Sequence, residues 1–104
     1  MAGERWHKDE TILALHLYIS NGRRYLKPEL PEVTSHVAML GSLGFPDRSA
    51  DTISLKMKNF IWLDPGKSEK GLSHVGPHDA EIWKVYSASP DALKREVTRI
   101  KKAE

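Results

Sequence analysis

The chain has no cysteine among its 104 residues. This absence excludes disulfide bonds, catalysis by a thiol and zinc sites with sulfur ligands, and it fits a reducing compartment. Long apolar runs are also missing, since none approaches the ~20 residues that span a bilayer. The first ten residues, MAGERWHKDE, are charged and are not followed by the apolar core of a secretory signal. We therefore expect a cytoplasmic protein without a membrane partner.

The chain also has little net charge. Its 16 basic and 14 acidic residues leave +2, which does not by itself indicate nucleic-acid binding. The distribution is more informative, because Arg23, Arg24 and Lys27 cluster after the first predicted helix and a second group lies near the end. That group is Lys94, Arg95, Arg99, Lys101 and Lys102. With 39% hydrophobic and 29% charged residues, the composition predicts a single globular domain over 1–104.

The spacing of apolar residues predicts an all-α fold. A first helix is expected near 9–20, capped by Asp9 and buried over most of its girth because its apolar residues are so dense. A second helix opens at Pro31 and ends with Gly41 or Gly44 in a left-handed cap. Its apolar residues recur at i, i+4 and i+7: Val33, Val37 and Leu40.

Three further segments follow. Ser49 is expected to cap a third helix over 50–60. The segment 64–78 is predicted to be a loop, since three glycines and two prolines are too many for a helix or a central strand. A short fourth helix is predicted over 78–86, and a basic C-terminal helix over 90–104. The predicted architecture is therefore a helix-turn-helix-like core of three helices with one or two additional C-terminal helices.

The third helix has several distinct faces at 100° per residue. Its core stripe is predicted to be Ile53, Met57 and Phe60. A polar flank carries residues at i, i+4 and i+7: Thr52, Lys56 and Asn59. Such a helix fits the major groove of DNA, where asparagine can read adenine and lysine can read guanine or hold a phosphate.

This pattern predicts a double-stranded DNA-binding module. Thr52, Lys56 and Asn59 are assigned to base edges, and Arg48 and Lys58 to phosphates beside the helix. The loop after the first helix is expected to add backbone contacts, with its tyrosine placed to stack or to bond a phosphate. Those loop residues are Arg23, Arg24, Tyr25 and Lys27.

A competing interpretation is a protein-interaction or oligomerisation domain, including a homodimer. Leu55 and Trp62 point away from the core stripe of the third helix. Burial beneath the segment 72–86 is the default expectation, because large apolar side chains are usually covered. If they are exposed instead, they could dock a partner, and binding would then respond weakly to salt.

Several motifs resemble the N-terminal region of bacterial HNH-type restriction endonucleases. They are W-x-x-D-E-x-x-L-A-L-x-L-Y from Trp6, P-E-V opening the second helix, I-S-L-K-M-K-N-F-x-x-L-D-P from Ile53, K-G-L-S from Lys70 and E-I-W from Glu81. The resemblance covers about residues 6–100, and here LGFPD lengthens the turn before the third helix. It implies target recognition, of ordinary or modified DNA, for a restriction and phage-defence nuclease domain that follows in a parent protein.

The chain itself is not expected to be an enzyme. An HNH site needs a general-base histidine, a second ligand for a divalent metal and a ββα hairpin. His16 and His36 fall in predicted helices, and His74 and His78 flank a Gly-Pro pair that does not form a helical face. No nuclease pattern follows Ile100. We therefore expect no catalytic residue, no metal and no cofactor.

Overall fold

The computed structural model describes residues 6–46, 48–64 and 77–102, and within these ranges it is helical without any strand. The all-α prediction is confirmed. The five helices are α1 (Lys8–Ser20), α2 (Pro31–Ser42), α3 (Ala50–Leu63), α4 (Pro77–Tyr86) and α5 (Pro90–Lys102). Most of the predicted 64–78 loop, including His74, lies outside the described residues, as does the end of the predicted 90–104 helix.

The first helix is the centre of the fold, and it contacts each of the other four helices. Its side chains are buried on nearly every face, as the density of apolar residues predicts. A helix that is hydrophobic all round must be enclosed by its neighbours. The core residues that it contributes are Ile12, Leu13, Ala14, Leu15, Leu17 and Tyr18.

The cap of α1 differs from the prediction. His7, and not Asp9, is the N-cap residue, and its Nδ1 accepts a hydrogen bond from the Asp9 backbone N–H at 3.0 Å. The Glu10 carboxylate accepts from the His7 backbone N–H at 2.8 Å, which completes a capping box. A neutral imidazole nitrogen can serve as the acceptor that aspartate usually provides, so Asp9 is left to pair with Arg99 of α5 at 3.1 Å.

The turn between α2 and α3 is flanked by a C-terminal cap of α2 and an N-terminal cap of α3. Gly44, with φ +97°, takes the left-handed position after α2, which settles the choice between the two candidate glycines. Its N–H donates to Gly41 O at 3.2 Å and the Phe45 N–H donates to Leu40 O at 2.8 Å, the paired bonds of a Schellman motif. On the other side, Ser49 caps α3 as predicted.

The core stripe of α3 is confirmed, since Ile53, Met57 and Phe60 are fully buried. The helix ends at Leu63, three residues beyond the predicted end. The prediction that Leu55 and Trp62 are covered is wrong: they are 48% and 39% exposed. The reason is that α4 packs on the side of α3 that carries Lys56 and Asn59, where its Asp79 bonds both side chains.

The last helix closes the other side of the core. α5 packs on α1 and α4 with an apolar stripe of Leu93, Val97 and Ile100, and its charged residues face outward. This is the amphipathic arrangement that its spacing predicts. No helix in the described ranges is both long enough and apolar enough to cross a membrane.

Candidate nucleic-acid interface

The loop between α1 and α2 lies lengthwise along α3 and runs in the opposite direction. At its start, Arg23 donates to Asp64 at the end of α3, with Nη2 2.8 Å from Oδ1. Three residues later, Leu26 O accepts a hydrogen bond from the buried Ser54 hydroxyl at 2.7 Å. The two contacts are about 15 Å apart along the helix, given its rise of 1.5 Å per residue. Residues 23–26 of the loop are therefore held against α3 at two points.

Five of the predicted binding residues lie at or beside these contacts. The Lys58 Nζ lies 5.3 Å from the centre of the Tyr25 ring, which joins α3 to the middle of the loop. Arg24 and Lys27 are exposed and Lys58 is half-buried. None of these three cations forms an ion pair with a carboxylate of the described residues. We call this the loop–α3 surface, and it consists of Arg23, Arg24, Tyr25, Lys27 and Lys58.

The backbone at the start of the loop explains its direction. Gly22 has φ +89° and Arg23 has φ +54°, so the chain passes through two successive left-handed residues as it leaves α1. The Arg23 N–H donates to Tyr18 O at 2.9 Å, and the Asn21 side-chain amide donates to Leu17 O at 2.9 Å. These bonds satisfy carbonyl groups at the end of α1 and turn the chain back along α3.

Arg23 is held by a buried carboxylate. Its Nε donates to Asp64 Oδ2 at 3.0 Å in addition to the Nη2 bond, and the same Oδ2 accepts from the Tyr18 hydroxyl at 3.0 Å. Asp64 is 1% exposed at its side chain, whereas Arg23 is 43% exposed. Hydrogen bonding to Asp64 raises the pKa of Arg23. The guanidinium is therefore fixed at its inner edge and accessible at its outer edge.

Lys56 and Asn59 do not lie on a solvent-facing flank, and this part of the prediction is corrected. Lys56 Nζ donates to both carboxylate oxygens of Asp79 on α4, at 2.9 and 3.0 Å, and Asn59 Nδ2 donates to Asp79 at 2.9 Å. The side chains of the ion pair are 8% and 2% exposed. Burial lowers the pKa of Lys56, and the Asp79 carboxylate opposes that shift. Neither residue can reach a base edge in this conformation.

Arg48 is also turned inward, which corrects its predicted contact with a phosphate. Its Nε and Nη2 donate to the Glu10 carboxylate at 2.6 and 3.0 Å, and its side chain is only 9% exposed. The Trp6 ring lies against both buried cations, 4.6 Å from the Arg48 guanidinium carbon and 4.2 Å from the Lys56 Nζ. Such cation–π contacts stabilise desolvated charges. This cluster joins the N-terminal segment, the α2–α3 turn, α3 and α4.

Thr52 occupies an intermediate position. It is partly exposed in the first turn of α3, and its backbone N–H is bonded to the Ser49 cap at 3.2 Å. Its hydroxyl also lies 3.0 Å from the Ser49 hydroxyl. Thr52 is therefore the one residue of the predicted base-reading flank whose side chain remains partly accessible.

The sequence-based prediction missed four partners of these cations: Trp6, Glu10, Asp64 and Asp79. One signal was present for the buried lysine. Lys56 follows Ile53 by three positions and precedes Met57 by one, which places it beside the core stripe at 100° per residue. A lysine in that position needs a carboxylate, because charged groups are almost never fully buried unpaired. The spacing of residues along the sequence does not identify which of the 14 acidic residues supplies that carboxylate.

Two histidines meet in a groove of about 400 Å³ between α1, α2 and α5. His16 and His36 line it with Glu32 and Lys101. Burial lowers the pKa of His36 to about 4, with smaller effects of Lys101 and His16. In the part of the chain that the structure describes, no group of three or more His, Asp or Glu side chains could hold a metal ion. A pKa of about 4 keeps the buried His36 imidazole neutral near pH 7.

Comparison of the chain with protein-family models, with curated proteins and with solved structures finds no match. The surface geometry is therefore the basis for assigning a function.

Proposed function

We propose that this chain is a double-stranded DNA-binding domain that holds the phosphate backbone with the loop–α3 surface. One observation carries the proposal: Arg24 and Lys27 of the loop and Lys58 of α3, two segments joined by the contact of Lys58 with the tyrosine ring of the loop, are at least partly accessible and form no ion pair with the described carboxylates. The inward cations Arg48 and Lys56 instead have carboxylate partners. Unpaired, exposed cations are the groups that phosphate contacts require.

The length of the surface suits a duplex. The contacts that hold the loop to α3 span about 15 Å, and B-DNA carries one phosphate charge per ~1.7 Å of its axis. Several phosphates therefore lie within reach. Tyr25 adds an aromatic ring whose hydroxyl can bond a phosphate, and Thr52 is the accessible candidate for a base contact.

The finer parts of the proposal concern the fold and the biological role. We propose that α1, α2 and α3 act as a helix-turn-helix-like core, which is supported by the closed turn between α2 and α3 and by the contacts of α1 with both. The motifs that resemble HNH restriction endonucleases support target recognition, of ordinary or modified DNA, for a nuclease domain in a cytoplasmic parent protein. In this proposal the chain binds and does not cut.

A titration of a short labelled duplex at two salt concentrations tests the proposal. We expect the affinity of the parent to fall steeply with salt. The double variant Arg24→Ala/Lys27→Ala should bind more weakly on every sequence. The slope of log K against log salt should drop by about 0.9 for each phosphate that the variant no longer neutralises.

The matched control removes two exposed cations of α5, in the variant Lys94→Ala/Arg95→Ala. It has the same net charge as the loop variant, so a difference between the two isolates the position of the charges. If both variants lose affinity equally, binding follows net charge and not the loop–α3 surface. A parent that shows no duplex binding at low salt would overturn the proposal altogether.

Exposure of Leu55 and Trp62 favours a second candidate, a protein-docking or self-association surface. The two side chains are seven positions apart on α3, which puts them on the same side of the helix, and they are 48% and 39% exposed. Sedimentation of the parent and of Leu55→Ser separates the candidates. Concentration-dependent association that is insensitive to salt and absent in Leu55→Ser would favour docking.

A further inference from the structure

Arg23 has hydrogen-bonding capacity that the fold does not use. A guanidinium has five N–H donors. Two of them, on Nε and Nη2, bind Asp64 at 3.0 and 2.8 Å. The other three, two on Nη1 and one on Nη2, have no partner among the described residues, and 43% of the side chain is exposed. The outer edge of the guanidinium is therefore a free pair of parallel donors.

Two neighbouring side chains, Trp83 and Asp64, hold the guanidinium of Arg23 in one plane. The Trp83 ring lies 5.5 Å from the guanidinium carbon and restricts rotation out of plane. Asp64 is oriented by the hydroxyl of Tyr18, a fully buried side chain of the central helix. An arginine held in this way loses little conformational entropy when it binds, since its rotamer is already selected.

The backbone of Arg23 adopts a conformation that glycine usually takes. Its φ of +54° is the only positive φ of a non-glycine residue in the described ranges. Left-handed conformations are uncommon for residues with a Cβ and favour glycine. A long cationic side chain in this conformation lies at the start of the loop–α3 surface, next to Arg24, and its outer edge is accessible.

We propose that Arg23 is a preorganised recognition arginine that binds two oxygens of one phosphate through its outer Nη1 and Nη2 donors. This inference rests on the proposed DNA-binding function. Asp64 and Trp83 are positioning residues that orient the guanidinium and do not touch the ligand. Phosphate is chosen over a guanine edge because the neighbouring accessible residues of the loop, Arg24 and Lys27, are unpaired cations typical of backbone contact.

The variant Arg23→Lys directly tests the pair of outer donors on Nη1 and Nη2. Lysine keeps the positive charge, can still pair with Asp64 and has a similar left-handed cost, but it lacks a planar pair of donors. We expect duplex affinity to fall about 10- to 100-fold with an unchanged salt slope. The matched control is Arg95→Lys, in which an exposed arginine of α5 without an ion pair to the described carboxylates is replaced outside the loop–α3 surface, and which should bind as the parent does.

Two outcomes with Arg23→Lys would overturn the inference. If Arg23→Lys binds like the parent while Arg24→Ala/Lys27→Ala is weakened, Arg23 only neutralises Asp64 and the proposed function stands. If the loss is confined to duplexes with particular guanines, the contact is to a base and the phosphate assignment fails. If Arg23→Lys lowers the free energy of unfolding enough to populate unfolded chains, Asp64→Asn replaces it. This second variant should keep the slope and weaken binding, and parent-like affinity would overturn the inference.

A measurement without DNA keeps the inference separate from the proposed function. Nuclear magnetic resonance can follow the Arg Nε–H signals during titration with inorganic pyrophosphate. We expect the Arg23 signal to shift and saturate at lower concentration than that of Arg24, and the shift to be smaller in Asp64→Asn. If the parent binds no duplex, the function fails and this titration still decides the role of Arg23. An Arg23 signal that does not move overturns it.

Discussion

The two polar sides of α3 contain the same kinds of residue in opposite environments. Lys56 and Asn59 are buried against Asp79, whereas Lys58, two positions from Lys56, lies over the Tyr25 ring on the loop–α3 surface. The local sequence around both lysines is similar, and it predicts a DNA contact for each of them. A lysine on a helix thus becomes structural or available according to whether a carboxylate from another element meets it.

The environments imply different consequences for mutation. A buried ion pair contributes little net stability, but removal of one partner leaves an uncompensated charge. An exposed lysine without an ion pair contributes little to stability and remains able to attract a polyanion. Substitutions on the two sides of α3 should therefore differ both in size and in the property that they change.

The greatest loss of stability should come from Asp79→Ala. Lys56 would remain buried without its carboxylate, so we expect the free energy of unfolding to fall by about 3–5 kcal/mol. Urea denaturation followed by circular dichroism provides the measurement. The double variant Lys56→Met/Asp79→Leu should recover most of the loss, because neither charge remains. If Asp79→Ala is as stable as the parent, the pair is not buried in solution.

The pH dependence of stability extends the contrast to α2, where His36 is buried. Burial lowers its folded pKa to about 4 from an ordinary value of 6.5. The fold favours neutral His36, so the stability that this residue contributes is fully present above pH 6.5. As the pH falls from 6.5 towards 4, the unfolded chain binds the proton and the folded chain does not, and this contribution is lost. The loss from this residue should reach about 3 kcal/mol at pH 4 and below.

Unfolding curves at pH 7 and pH 4.5 for the parent and His36→Gln measure that loss. The contribution of His16 to the pH dependence must be measured in the same experiments, because burial and the charges of Lys101 and Lys94 lower its pKa as well. We expect His36→Gln to lose less stability between the two pH values than the parent. An equal loss in both proteins would show that other groups control the acid response.

A smaller effect is expected for the bond that holds the loop to α3. Ser54→Ala removes the buried hydroxyl that donates to Leu26 O at 2.7 Å, and the carbonyl loses its protein partner. We expect a cost of about 1–2 kcal/mol in unfolding free energy. Hydrogen exchange in the loop should be faster in Ser54→Ala than in the parent, whereas exchange in α5 should change little. Unchanged protection in the loop would mean that Arg23 and Asp64 hold it without this bond.

Lys58→Ala should change stability least. Because Lys58 is partly exposed and has no ion-pair partner among the described carboxylates, we expect a change within about 0.5 kcal/mol. Its effect should appear in duplex binding, as a uniform loss of affinity and a reduced salt slope. Lys56→Met/Asp79→Leu is the converse control: it removes a buried ion pair, and its affinity for the duplex should equal that of the parent. Unaltered duplex affinity in Lys58→Ala would exclude this lysine from the interface.

Much of the fold was predictable from local pattern. Local signals and a repeat of 3.6 residues, which depend on neighbours in sequence, predict the starts of the five helices to within one residue, the Ser49 cap and the core stripe of Ile53, Met57 and Phe60. The cap of α1 was mispredicted because the imidazole of His7 fills a role more often taken by aspartate. The exposure of Leu55 and Trp62 was mispredicted because it depends on where α4 packs.

The candidate interface was predictable in composition but not in arrangement. That cations and one aromatic lie in the α1–α2 loop and on α3 follows from the sequence alone, because charge and residue type are local properties. Which of them are available follows from the tertiary structure. Asp64, Asp79 and Glu10 are distant in sequence from the cations that they pair with, and the Coulomb interaction selects partners by spatial distance and burial. Helix packing sets both, so it separates the structural Lys56 from the accessible Lys58.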